Sequence, residues 1–232
     1  DVFVSVFGAQ VVLVALFTVL FFGILFTNLT VADRLAPLVR PPGPEEDLLR
    51  NYHLVVGRRR WLVRFVLSAL FALVAGFGVS GRWEEWLLFT NSVDFGILDA
   101  QFGKDIGFYV FRLPFLSFVV GWLFATLIVA LVVTTLFHYI NGGIRFQTTG
   151  ERVQPAVKVH LSVLLGLVAL VRVGDYWLAR FELTTSDRGA VSGATYTDVK
   201  AQLPAINLLI LISLFAVALL IVNIRRRGWV LP

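Results

Sequence analysis

The stretch from Val2 to Ala32 carries no charged residue. An α-helix rises about 1.5 Å per residue, and about 20 apolar residues cross the hydrocarbon core of a bilayer. The rest of the chain repeats the pattern. It is 58% hydrophobic and only 15% charged, so charged residues are too few to cover the surface of a soluble domain of this size. The sequence therefore predicts an all-α fold, a polytopic transmembrane helix bundle.

Five apolar runs are long enough to span a membrane. We place the spans at about residues 4–32, 61–81, 113–140, 157–178 and 203–224, within a single transmembrane domain covering residues 1–232. The fourth run is the weakest, because its charge-free core is short and Arg172 and Asp175 follow directly. We retain it, since an even number of crossings would put the arginine-rich loops on opposite sides of the membrane.

The loops between the spans differ in charge, and this difference predicts an orientation. Loops 33–60 and 141–156 and the C-terminal end hold most of the arginines, whereas loops 82–112 and 179–202 are richer in acidic residues. Cytoplasmic loops carry an excess of Lys and Arg, so the first set is predicted to be cytoplasmic and the second to be outer. The N-terminal end of the segment is then extracytoplasmic and the C-terminal end cytoplasmic, in a bacterial plasma membrane.

Two of the loops have the pattern of short interfacial helices. In the first cytoplasmic loop, a break at Pro41, Pro42, Gly43 and Pro44 precedes Leu48, Leu49, Tyr52 and Val56 on one helical face. In the first outer loop, Glu84 and Glu85 accompany the apolar residues Trp83, Trp86, Leu87 and Phe89. A short helix with one apolar, aromatic face is typical of the membrane surface.

The net charge of +5 and the pI near 10.0 raise the question of nucleic-acid binding. The basic residues lie between the apolar runs, which is the pattern of a membrane protein, and we expect no nucleic-acid partner. The expected partners are the lipid bilayer and, as an open alternative, membrane-protein partner subunits. Cysteine is absent, so this segment has no disulfide and no cysteine-based metal or redox site. We expect no cofactor.

Small residues recur every fourth position in the second span, at Ser68, Ala72, Gly76 and Ser80. Such a ridge lets two helices approach closely. Gly76, Gly78 and Gly81 also match the dinucleotide-binding pattern G-x-G-x-x-G, but that fingerprint needs a strand before it and a helix after it. We therefore interpret the region as a helix-packing ridge.

Few residues suggest chemistry. Asp94, Asp99 and Asp105 are weak candidates for a divalent metal site, because their spacing is not that of a calcium-binding loop. Arg172 and Asp175 are the intramembrane polar candidates: they share one helical face and can neutralise each other at the outer end of the fourth span, as a functional pair or a structural one. The other alternative is a helix that ends before them. His160 lies at the opposite end of that span, and the sequence shows no groups that would link it to Arg172 by a proton relay. The spans contain no hydrolase motif, so we expect no catalytic residues in this segment.

Three stretches together carry a family resemblance. They are DFGILDAQFGKDIGFYVFRLPF (residues 94–115), GATYTDVKAQLPA (193–205) and RRRGWVLP (225–232). The chain resembles the uncharacterised bacterial protein family UPF0182 over essentially its whole length. Members of that family are large membrane proteins with about seven N-terminal transmembrane helices and a big extracytoplasmic domain.

The resemblance implies that this segment is the middle of the helical region, with one helix before Asp1 and another starting near Trp229. The family pattern F-G-x-x-D-P-x-F-G has Asp99 followed by Ala100 here, so we expect a looser turn at that point. No catalytic residue is implied, because the family has no established activity.

Three functions stay open at this stage. The leading hypothesis is a non-catalytic membrane module that anchors an envelope-facing domain or takes part in a membrane assembly. The alternative is a transporter or a lipid-handling component, suggested by Arg172, Asp175 and the glycine-rich outer segment between the second and third spans. The third is a membrane enzyme whose active site lies outside this segment.

Overall fold

A computed structural model describes residues 2–37, 59–145, 152–186 and 193–226. Its helices are α1 (Val2–Arg34), α2 (Arg60–Phe77), the short α3 (Trp83–Thr90), α4 (Leu113–Ile140), α5 (Pro155–Glu182) and α6 (Leu203–Arg226). Within these residues, five helical stretches are long and apolar enough to cross a membrane: Phe3–Arg34, Arg60–Thr90, Phe108–Ile140, Pro155–Thr185 and Asp198–Arg225. The prediction of an all-α fold with five spans is confirmed.

Helix α1 shows how these residues form a membrane-spanning helix. One residue per turn is buried along a single stripe, made of Ala9, Leu13, Phe17, Phe21, Leu25, Leu29 and Ala32. The remaining faces are also apolar but exposed, as at Phe3, Phe7 and Val19. A helix that is apolar on every side yet packs only one side has the surface that lipid requires.

The fourth predicted span is longer than the sequence suggests. Helix α5 begins at Pro155, where the missing proline N–H costs nothing, and it continues to Glu182. Arg172 and Asp175 therefore lie well inside the helix, and the alternative of a helix that stops near them is wrong. The charges do not end the helix, because their side chains pair with each other and leave the backbone ladder intact.

Boundaries differ from the prediction at three more helices, including α6, which follows a π-helical turn at Asp198–Gln202. Helix α2 ends at Phe77 rather than at residue 81, and a short 3-10 turn follows at Ser80–Arg82. Gly76, Gly78 and Gly81 explain the early end, because glycine is a poor helix former. A π-helical turn, Phe108–Arg112, precedes α4 and carries that helical stretch five residues closer to the N-terminus than predicted.

The chain divides into two compact units. The first unit comprises Asp1–Leu13, Val79–Thr126 and Gly166–Leu219, and the second comprises Val14–Gly78, Leu127–Leu165 and Leu220–Pro232. The core of the first unit is mainly aromatic, with Tyr109, Leu113, Leu178 and Phe181 buried and Phe102, Phe108, Leu116 and Val120 packed against them. In the second unit, Ile144, Val157 and Leu161 form a core cluster with Leu131, Tyr139 and Val153.

One of the two predicted interfacial helices lies within the described residues. It is α3, which contains Trp83, Trp86 and Phe89 as expected. The other, after Pro44, falls in residues 38–58, outside the described part of the chain. The position of either helix at a membrane surface stays a prediction.

Candidate functional site

Two histidines meet inside the second unit. His138 lies near the end of α4 and His160 in the second turn of α5, and His138 Nε2 is 3.0 Å from His160 Nδ1. The other ring nitrogen of His160, Nε2, is 3.1 Å from the side-chain oxygen of Asn28 on α1. Asn28 Nδ2 donates in turn to the Ile24 carbonyl at 2.7 Å. A single hydrogen-bonded chain thus joins three helices.

The donors and acceptors along this hydrogen-bonded chain follow one direction, from which we assign the tautomers of the two histidines. The amide nitrogen of Asn28 donates to Ile24, so its side-chain oxygen must accept from His160 Nε2–H. With its proton on Nε2, neutral His160 accepts at Nδ1 from His138 Nε2–H. The proton of neutral His138 is then also on Nε2, and its Nδ1 carries a lone pair.

This lone pair is buried without a hydrogen-bond partner among the described residues. The whole His138 residue is 0% exposed, and its Nδ1 has no donor there. The Nδ2 of Asn141, in the next turn of the chain, is likewise buried and unpartnered within the described residues. His138 Nδ1 is thus the one ring nitrogen of the two histidines without a hydrogen-bond partner among the described residues.

A glycine allows the chain to pass close to His138. Gly143 N donates to the His138 carbonyl at 2.8 Å. A Cβ at Gly143 would lie 2.9 Å from a methyl carbon of Val157 and 3.6 Å from His138 Nδ1. Any larger residue at this position would press against the side chain of Val157.

A second polar contact joins α5 and α6 in the same unit. Asn223 Nδ2 donates to Ser162 Oγ at 3.3 Å, and both residues are buried. A polar side chain facing another helix is worth about 0.6 kcal/mol on average inside a membrane. The contact therefore specifies which faces of α5 and α6 meet more than it stabilises them.

Arg172 and Asp175 form an ion pair within α5, in the first unit. Arg172 Nη1 donates to Asp175 Oδ2 at 2.5 Å, and Nη2 donates to the Tyr176 hydroxyl at 3.2 Å. The guanidinium carbon also lies 4.8 Å from the ring centres of both Phe124 and Tyr176. The side chains are 38% and 33% exposed, so the pair is neutralised but still accessible.

The three aspartates of the metal hypothesis have separate partners. Asp105 accepts from backbone N–H groups, Asp99 accepts from Phe102 N at 2.6 Å and from the Tyr109 hydroxyl at 3.1 Å, and Asp94 lies 3.7 Å from Arg112. The N–H of Phe95, with those of Gly107 and Gly96, holds the pKa of Asp105 below its usual value against the opposing effect of burial. Within the described residues, no three His, Cys, Asp or Glu side chains are placed to share a metal ion.

Three of the four predicted ridge residues lie on one buried face of α2. Ser68, Ala72 and Gly76 are buried there. A Cβ on Gly76 would overlap the hydroxyl of Thr18 on α1, so the two helices are in close contact at this point. Ser80 does not belong to this face, because α2 ends at Phe77 and Ser80 starts the following 3-10 turn.

The histidine cluster was missed by sequence reasoning. His138 was not singled out, and Asn28 was one polar residue in an apolar run. One signal was available: an ionisable residue within a spanning helix marks a functional candidate by default. Their pairing was not visible, because residues 28, 138 and 160 are far apart in sequence and share no motif.

Comparison with known proteins identifies relatives over the whole chain. The model of the uncharacterised protein family UPF0182 matches residues 1–232. A UPF0182 protein of Frankia casuarinae is 46% identical over 231 residues, which cover 100% of this chain and 23% of the relative. UPF0182 proteins of a Nocardioides species and of Streptomyces coelicolor are 42% and 36% identical, over 100% and 88% of this chain and 23% and 21% of their own lengths. No solved structure matches.

Proposed function

Because this chain belongs to the uncharacterised family UPF0182 and spans less than a quarter of the curated relatives described above, we propose that it is the membrane module of a longer protein. The module is non-catalytic, and it anchors an envelope-facing domain in the bilayer or takes part in a membrane assembly. Partner subunits, if present, bind the apolar helix faces left exposed in the described part of the chain.

The observation that carries this proposal is how the polar side chains of the spans are used. His138, His160 and Asn28 bond to one another across three helices, and Ser162 bonds to Asn223. Many exposed residues of the same helices are large and apolar, among them Val19, Leu136 and Leu211. Hydrogen bonds between buried polar side chains stabilise the packing of helices whose outer faces are apolar, and a stable membrane anchor needs both features.

The orientation belongs to the proposal as well. Arg60 and Arg64, at the start of α2, lie 3.7 and 2.6 Å from the carboxylate of Asp33 at the end of α1. One carboxylate against two guanidiniums leaves this end of the helices basic, which supports its placement in the cytoplasm. The N-terminal end of the segment is then extracytoplasmic and the C-terminal end cytoplasmic, in a bacterial plasma membrane. Reporter fusions after Arg34 and after Thr90 test this, and an outward-facing reporter after Arg34 would reverse the topology.

The experiment that tests the anchor is a flux measurement on the full-length protein in vesicles. We expect proton flux under an imposed potential, and flip-flop of a fluorescent lipid, no faster than in protein-free vesicles. His138→Leu should leave both unchanged. The matched control is Leu136→Ala, which alters an exposed residue of the same helix. Flux that depends on His138 but not on Leu136 would overturn the anchor.

A transporter is the second candidate, favoured by the lone pair on His138 Nδ1. An ionisable histidine within a spanning helix marks a candidate for proton transfer, which a proton-coupled carrier needs. The partly exposed ion pair of Arg172 and Asp175 adds a site for a polar substrate or a lipid headgroup. This candidate requires the His138-dependent flux described above, and a loss of that flux in Arg172→Gln would place both groups in the mechanism. A membrane enzyme with its active site outside this segment is the third candidate, tested by activity assays of the full-length protein.

A further inference from the structure

The segment between α3 and α4, residues 91–107, exposes large apolar side chains although it lies outside the spanning helices. They are Val93, Phe95, Ile97, Leu98 and Ile106, of which Leu98 is 67% and Phe95 is 52% exposed. We propose that this segment, here named the apolar loop, inserts these side chains into the boundary between headgroups and acyl chains of the lipid bilayer. The inference does not rest on any of the three proposed functions.

The apolar loop satisfies many of its own backbone donors through two carboxylates. The oxygens of Asp105 accept three hydrogen bonds of 2.7 to 2.9 Å, from the N–H groups of Phe95, Gly96 and Gly107. Asp99 accepts a fourth from Phe102 at 2.6 Å. These two acidic side chains therefore turn inward, towards the backbone of the loop, whereas the third, Asp94, is exposed and lies 3.7 Å from Arg112.

Backbone carbonyls pair three further donors of the same segment and the donor of Phe108, the residue that follows it. These are Asp99 N to Lys104 O, Gly103 N to Asp99 O, Ile106 N to Ile97 O and Phe108 N to Asp105 O, at 2.7 to 3.0 Å. An unpaired N–H is costly wherever water is removed, so internal pairing lowers the cost of entering lipid. Because these donors are already paired, the loop offers a partner protein few hydrogen-bonding groups and mainly apolar contact. This favours lipid as the occupant.

The shape of the apolar loop is fixed by its glycines. Gly96 and Gly103 have φ angles of 74° and 62°, a region that other residues adopt at a cost. A Cβ on Gly107 would overlap the Val93 carbonyl oxygen. The backbone conformation of the loop is thus defined, and it keeps the apolar side chains exposed.

The apolar loop continues the surface of a spanning helix. Phe95 stacks on Phe111 with ring centres 5.6 Å apart and planes at 19°. Phe111 belongs to the spanning stretch Phe108–Ile140, where Val110 is also exposed. Lys104 is exposed on the same segment and can reach lipid phosphates, as basic side chains at membrane surfaces do. Lipid that covers the helix can therefore cover the loop without a break.

Spin labels on single cysteines can test this proposal, because the 232-residue chain contains no cysteine of its own. We would label Leu98→Cys and Ile97→Cys in the full-length protein, freed of any cysteine outside this segment, in vesicles of phosphatidylethanolamine and phosphatidylglycerol. The references are Lys104→Cys on the same loop and Leu211→Cys on the exposed face of α6. The measurement compares collision rates with oxygen, which concentrates in lipid, and with a nickel chelate, which stays in water.

The proposal expects an oxygen-to-nickel ratio at Leu98 and Ile97 that is close to the ratio at Leu211 and clearly above that at Lys104. Higher collision with nickel than with oxygen at Leu98 would show a loop in water and overturn the proposal. Low collision with both probes would show a loop covered by protein and would overturn it equally. If a labelled variant does not fold, the tryptophan fluorescence of Leu98→Trp can be measured instead. Its quenching by brominated lipid shows whether residue 98 lies in the bilayer.

Discussion

Adding a methyl group at Gly76 tests the close contact between α1 and α2. In Gly76→Ala the new Cβ would overlap the Thr18 hydroxyl, and it would lie 3.0 Å from Thr18 Cβ and 3.1 Å from the Val14 carbonyl oxygen. The hydroxyl can rotate away, but the other two atoms move only if the helices separate. Overpacking of this kind costs about 1–3 kcal/mol, and the better helix propensity of alanine returns about 0.5–1 kcal/mol. We expect a net loss of about 1 kcal/mol.

The matched control is Gly23→Ala in the middle of α1. Nothing lies within 4 Å of a Cβ at Gly23, so only the propensity gain of about 0.5–1 kcal/mol applies. The two variants should therefore differ by roughly 2 kcal/mol in the free energy of unfolding. Equilibrium unfolding of the purified full-length protein in bicelles, followed by steric trapping, measures this difference.

A double variant separates steric overlap from other effects. The hydroxyl of Thr18 is buried without a partner among the described residues, so Thr18→Ala should be nearly neutral. Combined with Gly76→Ala it removes the worst overlap and should recover part of the lost stability. Equal stabilities of Gly76→Ala and Gly23→Ala, or no recovery in the double variant, would show that α1 and α2 are not packed as described.

Three further outcomes follow from the polar groups. The folded-state pKa of Asp105 is below the ordinary 3.8. The ionised carboxylate therefore stabilises the apolar loop above pH 3.8, and this stabilisation is lost as the pH falls through the lowered pKa. Hydrogen exchange of residues 91–107 should show this loss in the wild type and not in Asp105→Asn. Asn28→Ala leaves His160 Nε2–H without its acceptor and should cost about 1–3 kcal/mol in the same unfolding assay, whereas an unchanged stability would contradict the hydrogen-bonded chain. Arg172→Gln leaves the Asp175 carboxylate unpaired and should lower the melting temperature more than the double variant with Asp175→Asn; a double variant that melts below the single one would refute the pairing.

The secondary structure was largely predictable because it depends on local composition. Each long apolar run became a helix, since only a helix pairs all of its own backbone groups where water is absent. The errors lie at the ends. Helix α2 stops at Phe77 because of its glycines, and α5 continues past Arg172 because a charge that is paired within one helix does not interrupt the helix.

The polar site was predictable only in part. Arg172 and Asp175 are three positions apart, so their pairing follows from helix geometry alone. The looser turn expected at Asp99 and Ala100 stays a prediction. In this loop the Asp99 carboxylate accepts the Phe102 N–H at 2.6 Å, and the Asp99 carbonyl accepts the Gly103 N–H. A side-chain hydrogen bond of this kind constrains the turn.

By itself the sequence determined which segments leave water, because hydropathy sums over neighbours along the chain. Only the tertiary structure decided which polar side chains meet. His138, His160 and Asn28 are brought together by the rotation of three helices about their axes and by their pairing, and neither of these is encoded in any local pattern. The same is true of the apolar loop, where the Asp105 carboxylate accepts the N–H group of Phe95, ten positions earlier in the chain.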